Sequence, residues 1–335
     1  MNNVHVGVDS RIELLSIVQL FTSWKLHGMI IEDSFFYPYK RAVLEWFSPY
    51  RNHKAVKICQ KLVNIGFTYD APVGFVMHLS EPPELKVVKK FSNYHIKRAG
   101  GEFILREFVK NLRKFANESD FMNFWESQND FYKEVVTKSG VKVDEIRSIL
   151  QQLKEFFRAS ELQYQAYVIL ALLIRETVGY GYMLEDSLFT FIGPWKISEG
   201  FPIFGEVDFQ LRQLIRHEYA HLFVNSITER YRELVNKYAY LFDDIKERMM
   251  KMAYGTWEIA LNEHIIRATT ALLMVIYDKV SEEKVFSYLK NQERAGFKYI
   301  WSFYEALKEY LNSDLSFEEF YPKMLTHLER RVKSK

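Results

Sequence analysis

The chain has 335 residues, with 45 Lys and Arg against 43 Asp and Glu, a net charge of +2 and 48% hydrophobic residues. That length suits one large domain or two smaller ones, and 26% charged with 16% aromatic residues excludes a disordered chain. Near-neutral charge gives no global pull toward nucleic acid or acidic lipid, and a single cysteine, Cys59, excludes an internal disulfide framework or a cysteine-built zinc finger.

In chain order, Val4–Val8 is a candidate strand, and Arg11–Trp24 follows Asp9 and Ser10 as a capped helix with Glu13 in its first turn. Val73–Leu79 reads as strand or helix. Glu102–Phe115 is helical after the Gly100-Gly101 break, as are Asp120–Val136 and Asp144–Phe157. The polar, Gly-containing stretch Thr137–Val143 between those two is the best candidate joint, giving parts 1–140 and 141–335. Ser160–Thr177 has helical periodicity. Ser187–Gly193 is the clearest strand, stopped by Pro194, and is either buried or an edge open to an extended peptide. Helical segments then run through Asp208–Val224, Asp243–Asp278, Ser281–Tyr310 and Ser316–Arg331, the long ones open to internal breaks. A few strands before a long helix, in a mostly helical chain, make an α+β layout. Met1–Ser10 has no charged-then-apolar signal region, and the apolar runs Ala166–Ile174 and Ala271–Tyr277 fall short of about 20 residues. The expectation is a soluble, cytoplasmic protein with no nucleic-acid or membrane partner.

The chemistry concentrates at His217-Glu218-Tyr219-Ala220-His221. Four residues on an α-helix turn about 400°, so the two imidazoles lie about 40° apart on one face and can reach one ion. Glu218 can face a water without itself being a ligand. A catalytic zinc needs a third protein ligand and an open position. Glu258, Glu263 and His264, on the helical segment downstream, are the candidates. Glu258 and Glu263 diverge by about 140° around that helix, while His264 falls with Trp257, Ala260, Leu261 and Ala268. Arg267, one turn after Glu263, suits either an orienting partner for a carboxylate or a surface pair. Tyr254 reads as an oxyanion donor or as a packing residue, and the basic run Lys86–Arg98 reads as a solvated face.

The Asn262-Glu263 pair after a His-Glu-x-x-His helix resembles the gluzincin pattern, which implies Glu263 as the third zinc ligand. The opening Val8-Asp9-Ser10-Arg11-Ile12-Glu13-Leu14-Leu15-Ser16-Ile17, HEYAHLFVN at 217–225 and NEHIIRA at 262–268 are together similar to a domain-of-unknown-function family of gluzincin-like proteins. The 42 residues from His221 to Glu263 exceed the gap in the best-known gluzincin peptidases and leave room for an inserted helical hairpin. The resemblance implies a zincin-like α+β fold with a small sheet preceding the active-site helix. It also implies a zinc-dependent peptidase with His217, His221 and Glu263 on the metal and Glu218 as general base. The substrate would be a peptide or protein. The alternative is a non-catalytic peptide-binding module that retains the same shell.

Overall fold

The computed structural model describes residues 3–23, 37–159, 164–175, 179–205, 209–252 and 254–333. The chain divides into two units, one of residues 1–145 and 163–211, the other of 146–162 and 212–335.

The first unit begins with β1 (Val4–Gly7) and α1 (Ser10–Leu20). Asp9 caps α1 as expected, its carboxylate accepting from the Arg11 and Ile12 amides. The same carboxylate holds the Arg11 guanidinium, which also donates to the Leu79 carbonyl. Helices α2 (Pro38–Phe47), α3 (Lys54–Asn64), α4 (Asp70–Val76), α5 (Asn93–Arg98), α6 (Glu102–Glu118), α7 (Phe121–Ser127) and α8 (Asn129–Lys138) follow. Cys59 of α3 is buried, and burial pushes its thiol pKa up to about 12, so it serves as a core side chain. The Val73–Leu79 stretch is helical over its α4 part.

Ser160–Thr177 does not form the expected helix within its described residues. They hold β2 (Gln165–Leu170), a strand. Val168, Ile169 and Leu170 are buried in succession, so the later half of the strand lacks the apolar–polar alternation that separates strand from helix. β3 (Gly179–Leu184) and β4 (Ser187–Ile192) complete a mixed sheet in the order β1-β2-β4-β3. β1, β2 and β4 are parallel and β3 is antiparallel to β4. On one face the register brings His5, Tyr167 and Phe189 into a cross-strand ring stack. The Ser187–Gly193 strand is hydrogen-bonded on both sides, so it is the buried alternative and offers no edge. A two-stranded ribbon, β5 (Lys196–Ser198) with β6 (Phe201–Ile203), follows.

One polar side chain organises this unit. Glu13 is 0% exposed on α1; its carboxyl accepts from the Leu172 amide at 3.0 Å and the Tyr39 hydroxyl at 2.8 Å. Tyr39 in turn lies 3.2 Å from the Tyr132 hydroxyl. Burial, opposed by those two hydrogen bonds, pushes the Glu13 pKa up to about 8.

The helix α9 (Val143–Phe156) contributes its later turns to the second unit. α10 (Phe209–Arg230), α11 (Arg232–Lys237), α12 (Lys246–Lys251), α13 (Trp257–Ile276), α14 (Glu282–Ala295), α15 (Ile300–Leu311) and α16 (Phe317–Lys333) complete the helices. The expected Asp243–Asp278 helix is therefore broken before Trp257, where Thr256 caps α13 through the Ile259 amide. Ser281–Tyr310 is broken around Gly296, whose φ of 126° ends α14. The chain as a whole is a helix-rich α+β protein.

α13 is 20 residues long with a mean hydropathy of 1.4 over 18 of them, long and apolar enough to cross a membrane. However, 78% of that window is buried within the protein. It is the core helix of its unit.

Candidate metal centre

α10 carries the His-Glu-x-x-His sequence in one uninterrupted helix, so His217 and His221 lie one turn apart, their rings 5.1 Å between centroids and nearly perpendicular. α13 brings Glu263 opposite them. Its Oε2 is 3.5 Å from His217 Nε2, and its Oε1 is 3.3 Å from His221 Nε2. One ligand atom from each of the three residues lies within 4.8 Å of the others. The imidazoles are 16% and 27% exposed and the carboxylate 6%, so the cluster opens on its histidine side.

Two imidazole nitrogens and a carboxylate suit zinc by donor type. The fit has a second sign. Oε2 of Glu263 is buried and receives no well-aligned hydrogen bond, although Arg267 Nη2 lies 3.1 Å away. The Arg267 ion pair offsets part of that burial, and a metal ion would supply the directed contact that Oε2 lacks.

The electrostatics point the same way. Burial works against the Glu263 carboxylate, but the charges and hydrogen bonds of His217 and His221 outweigh it and hold its pKa well below the usual carboxylate range. Burial likewise opposes protonation of His221. The bond and charge of Glu263, with smaller help from Glu218 and Asn225, lift its pKa to about 9. The carboxylate thus holds positive charge on the imidazole that faces it.

Of the rival ligands, His264 is fully buried; its Nδ1 donates to the Ala260 carbonyl at 2.6 Å and its ring sits among Phe297, Tyr299 and Phe303. Burial pushes its pKa down to about 4. Glu258 lies outside the ligand group, on the side of the helix whose charge reaches Tyr321. Both positions follow from their angular offset on α13.

Arg267 lies behind Glu263 and is held in turn. It donates to the Tyr254 hydroxyl and the Gln292 side-chain oxygen, each at 3.1 Å, and stacks 4.3 Å over the Phe297 ring. Tyr254 is thus an anchor for Arg267. Burial and the Glu263 charge push its own pKa up to about 12, against the opposing charge of Arg267. Glu218 is half-buried on α10, and its charge reaches His221 without its entering the ligand group.

Three functional neighbours escaped the sequence reading. Asn225 and Asn262 stood in the matched motifs without a role, and Thr228 stood outside them. Asn225 Oδ1 lies 3.3 Å from His221 Nδ1 and accepts from Asn262 Nδ2 at 3.0 Å. The Thr228 hydroxyl donates to Asn262 Oδ1 at 2.6 Å. The i,i+4 spacing of His221 and Asn225 was the available signal. On the other side of the motif, Arg216 is wholly buried and grips Asp278 at the end of α13 with both terminal nitrogens, while donating to Gln152 at 2.6 Å. Arg212 and Gln213 also donate to Asp278, so α10 and α13 are clamped at a second point. In the 42-residue gap, α11 and α12 occupy the place of the expected hairpin, and Trp257 Nε1 ties the start of α13 to the Val235 carbonyl at 3.1 Å.

The remaining described histidines do not join a metal group. His5 stacks on Tyr167, His53 caps α3 through the Ala55 amide, and His78 bonds the Tyr182 hydroxyl. His95 bonds Ser92, and His327 lies 3.4 Å from Glu309. His27 lies outside the described residues. In the basic run, Lys89 pairs with Glu185 and Arg98 donates to the Gly66 and Thr68 carbonyls.

No curated protein and no solved structure matches the chain. A family model does, over residues 4–327, and its span takes in the capped opening of α1, the His-Glu-x-x-His helix and the Asn-Glu helix together. The chain belongs to the family of the domain of unknown function DUF4932.

Proposed function

We propose that the protein is a zinc-dependent hydrolase of the gluzincin type, acting on peptide bonds. The observation that carries this reading is the meeting of His217, His221 and Glu263 from two helices, with ligand atoms within 4.8 Å of one another. These three residues would hold the ion through Nε2, Nε2 and the carboxylate. A zinc ion in such a set supplies a Lewis acid for a carbonyl and lowers the pKa of water to about 7.

The chain's own residues supply the rest. Glu218, adjacent to the ligands and outside their group, receives a proton at its carboxylate as water attacks and returns it to the departing amine. Its negative charge also reaches the His221 imidazole. Arg267 neutralises Glu263 from behind and fixes the direction of its carboxylate, so that the site carries less net negative charge than its ligands alone would give. The buried Arg216–Asp278 pair holds the helix carrying the histidines against the helix carrying the glutamate.

The experiment is cleavage of a mixed peptide library by parent and Glu218→Gln, with and without chelator. Parent should release products that chelator abolishes. Glu218→Gln should keep its metal and lose about 100- to 10,000-fold in rate, the usual contribution of a general base. A parent that retains peptides without cutting them would instead make the site a binding module.

A further inference from the structure

Behind His221 runs a string of hydrogen bonds whose direction can be worked out from its donors. Thr228 has one hydroxyl proton, and it goes to Asn262 Oδ1 at 2.6 Å. The Tyr321 hydroxyl, 2.7 Å from the same Thr228 oxygen, must therefore be the donor in that contact. Asn262 then has its amide nitrogen turned toward Asn225, donating to Oδ1 at 3.0 Å. That fixes which end of the Asn225 amide faces inward: an oxygen, which can only accept. His221 Nδ1, 3.3 Å from this oxygen, must carry a proton to bond with it. The Nε2 atom facing Glu263, 3.3 Å from its Oε1, is then the one a cation would meet, in exchange for the proton that Glu263 holds there in the metal-free chain.

We infer that Asn225 and Asn262 are positioning residues that hold His221 in the Nδ1-protonated form and in the ring orientation a metal requires. Asn225 is exposed at the rim, but Asn262, Thr228 and Tyr321 behind it are buried. Their bonds cannot be exchanged for water, so the order is enforced from the core outward. The string also joins α10, α13 and α16, making ligand orientation depend on the packing of three helices. A metal-bound imidazole commonly donates its other nitrogen to such a partner, and losing that partner costs about 10- to 100-fold in affinity.

The inference rests on the metal reading for one of its two readouts only. The first is exchange of the His221 Nδ1 proton with water, followed by ¹H–¹⁵N NMR on the full metal-free chain. The second is zinc affinity by competition with a chromophoric chelator. Asn225→Leu keeps the volume and removes the acceptor, so it should speed exchange at least about tenfold and weaken zinc about 10- to 100-fold. Asn225→Asp keeps the accepting oxygen and should retain slow exchange with zinc binding as tight as the parent's or tighter. Asn262→Asp keeps its shape but loses the donated bond, and should resemble Asn225→Leu in both readouts. A purely packing role predicts the reverse, with Leu tolerated and Asp disruptive. Equal exchange in parent and Asn225→Leu overturns the inference. Slow exchange in the parent and its loss in Asn225→Leu support it even in a chain that takes up no zinc, an outcome that overturns the metal reading alone.

Discussion

Glu13→Gln tests whether the α1 opening is architectural. The carboxyl is completely buried and its pKa is pushed up to about 8 from an ordinary 4.5. A carboxyl raised in the folded state stabilises fully below its unfolded pKa, and that contribution is lost as pH rises toward the folded value. Between pH 4.5 and 8 the unfolded chain has released a proton that the folded chain still holds. Each pH unit in that window costs the parent about 1.4 kcal/mol. Glutamine cannot ionise, yet it can accept from the Leu172 amide through its oxygen and donate to the Tyr39 hydroxyl through its nitrogen. The variant should therefore gain about 3 kcal/mol on the parent between pH 5 and pH 7. The assay is urea unfolding of both proteins at pH 5, 6, 7 and 8, comparing differences, so that titrating groups common to both cancel. Parallel stability curves would show that Glu13 does not titrate in this window and would refute the burial argument.

The rest concern α13. Glu263→Ala should lose most zinc affinity in a chelator competition, whereas Glu258→Ala and His264→Ala stay near the parent; metal loss in Glu258→Ala alone would reassign the third ligand. His264→Phe should leave zinc affinity unchanged. Because burial depresses the His264 pKa to about 4, its contribution is present above the unfolded value near 6.5 and is lost as pH falls through 4. The phenylalanine variant should accordingly resist acid unfolding better than the parent, and an unchanged acid midpoint would count against it.

The sequence made the site legible because its chemistry depends on local spacing. His217 and His221 share a helix face by arithmetic alone, and Asp9 could be read as a cap from its position. The proposed third ligand needed the Asn-Glu resemblance, since helical angles separate Glu258 from Glu263 but do not say which faces α10. What remained hidden was set by tertiary context. Val168, Ile169 and Leu170 of the Gln165–Leu170 strand are all buried in succession, so this stretch carried no period-two signal. Tyr254 reads alike as donor or packing residue until Arg267 is seen bonded to it. Asn225, Thr228 and Tyr321 are ordinary polar residues in sequence, and only the folded contacts of three helices give them direction.

The central claim is that this chain binds one catalytic-type zinc through His217, His221 and Glu263. Its most direct test is elemental analysis of the purified full chain after zinc is offered and excess removed by dialysis, beside a His217→Ala/His221→Ala variant. The account predicts about one zinc per parent chain and almost none in the variant, with both retaining the helical circular-dichroism spectrum. A parent that is folded and holds no zinc, or a variant that holds as much as the parent, would contradict it.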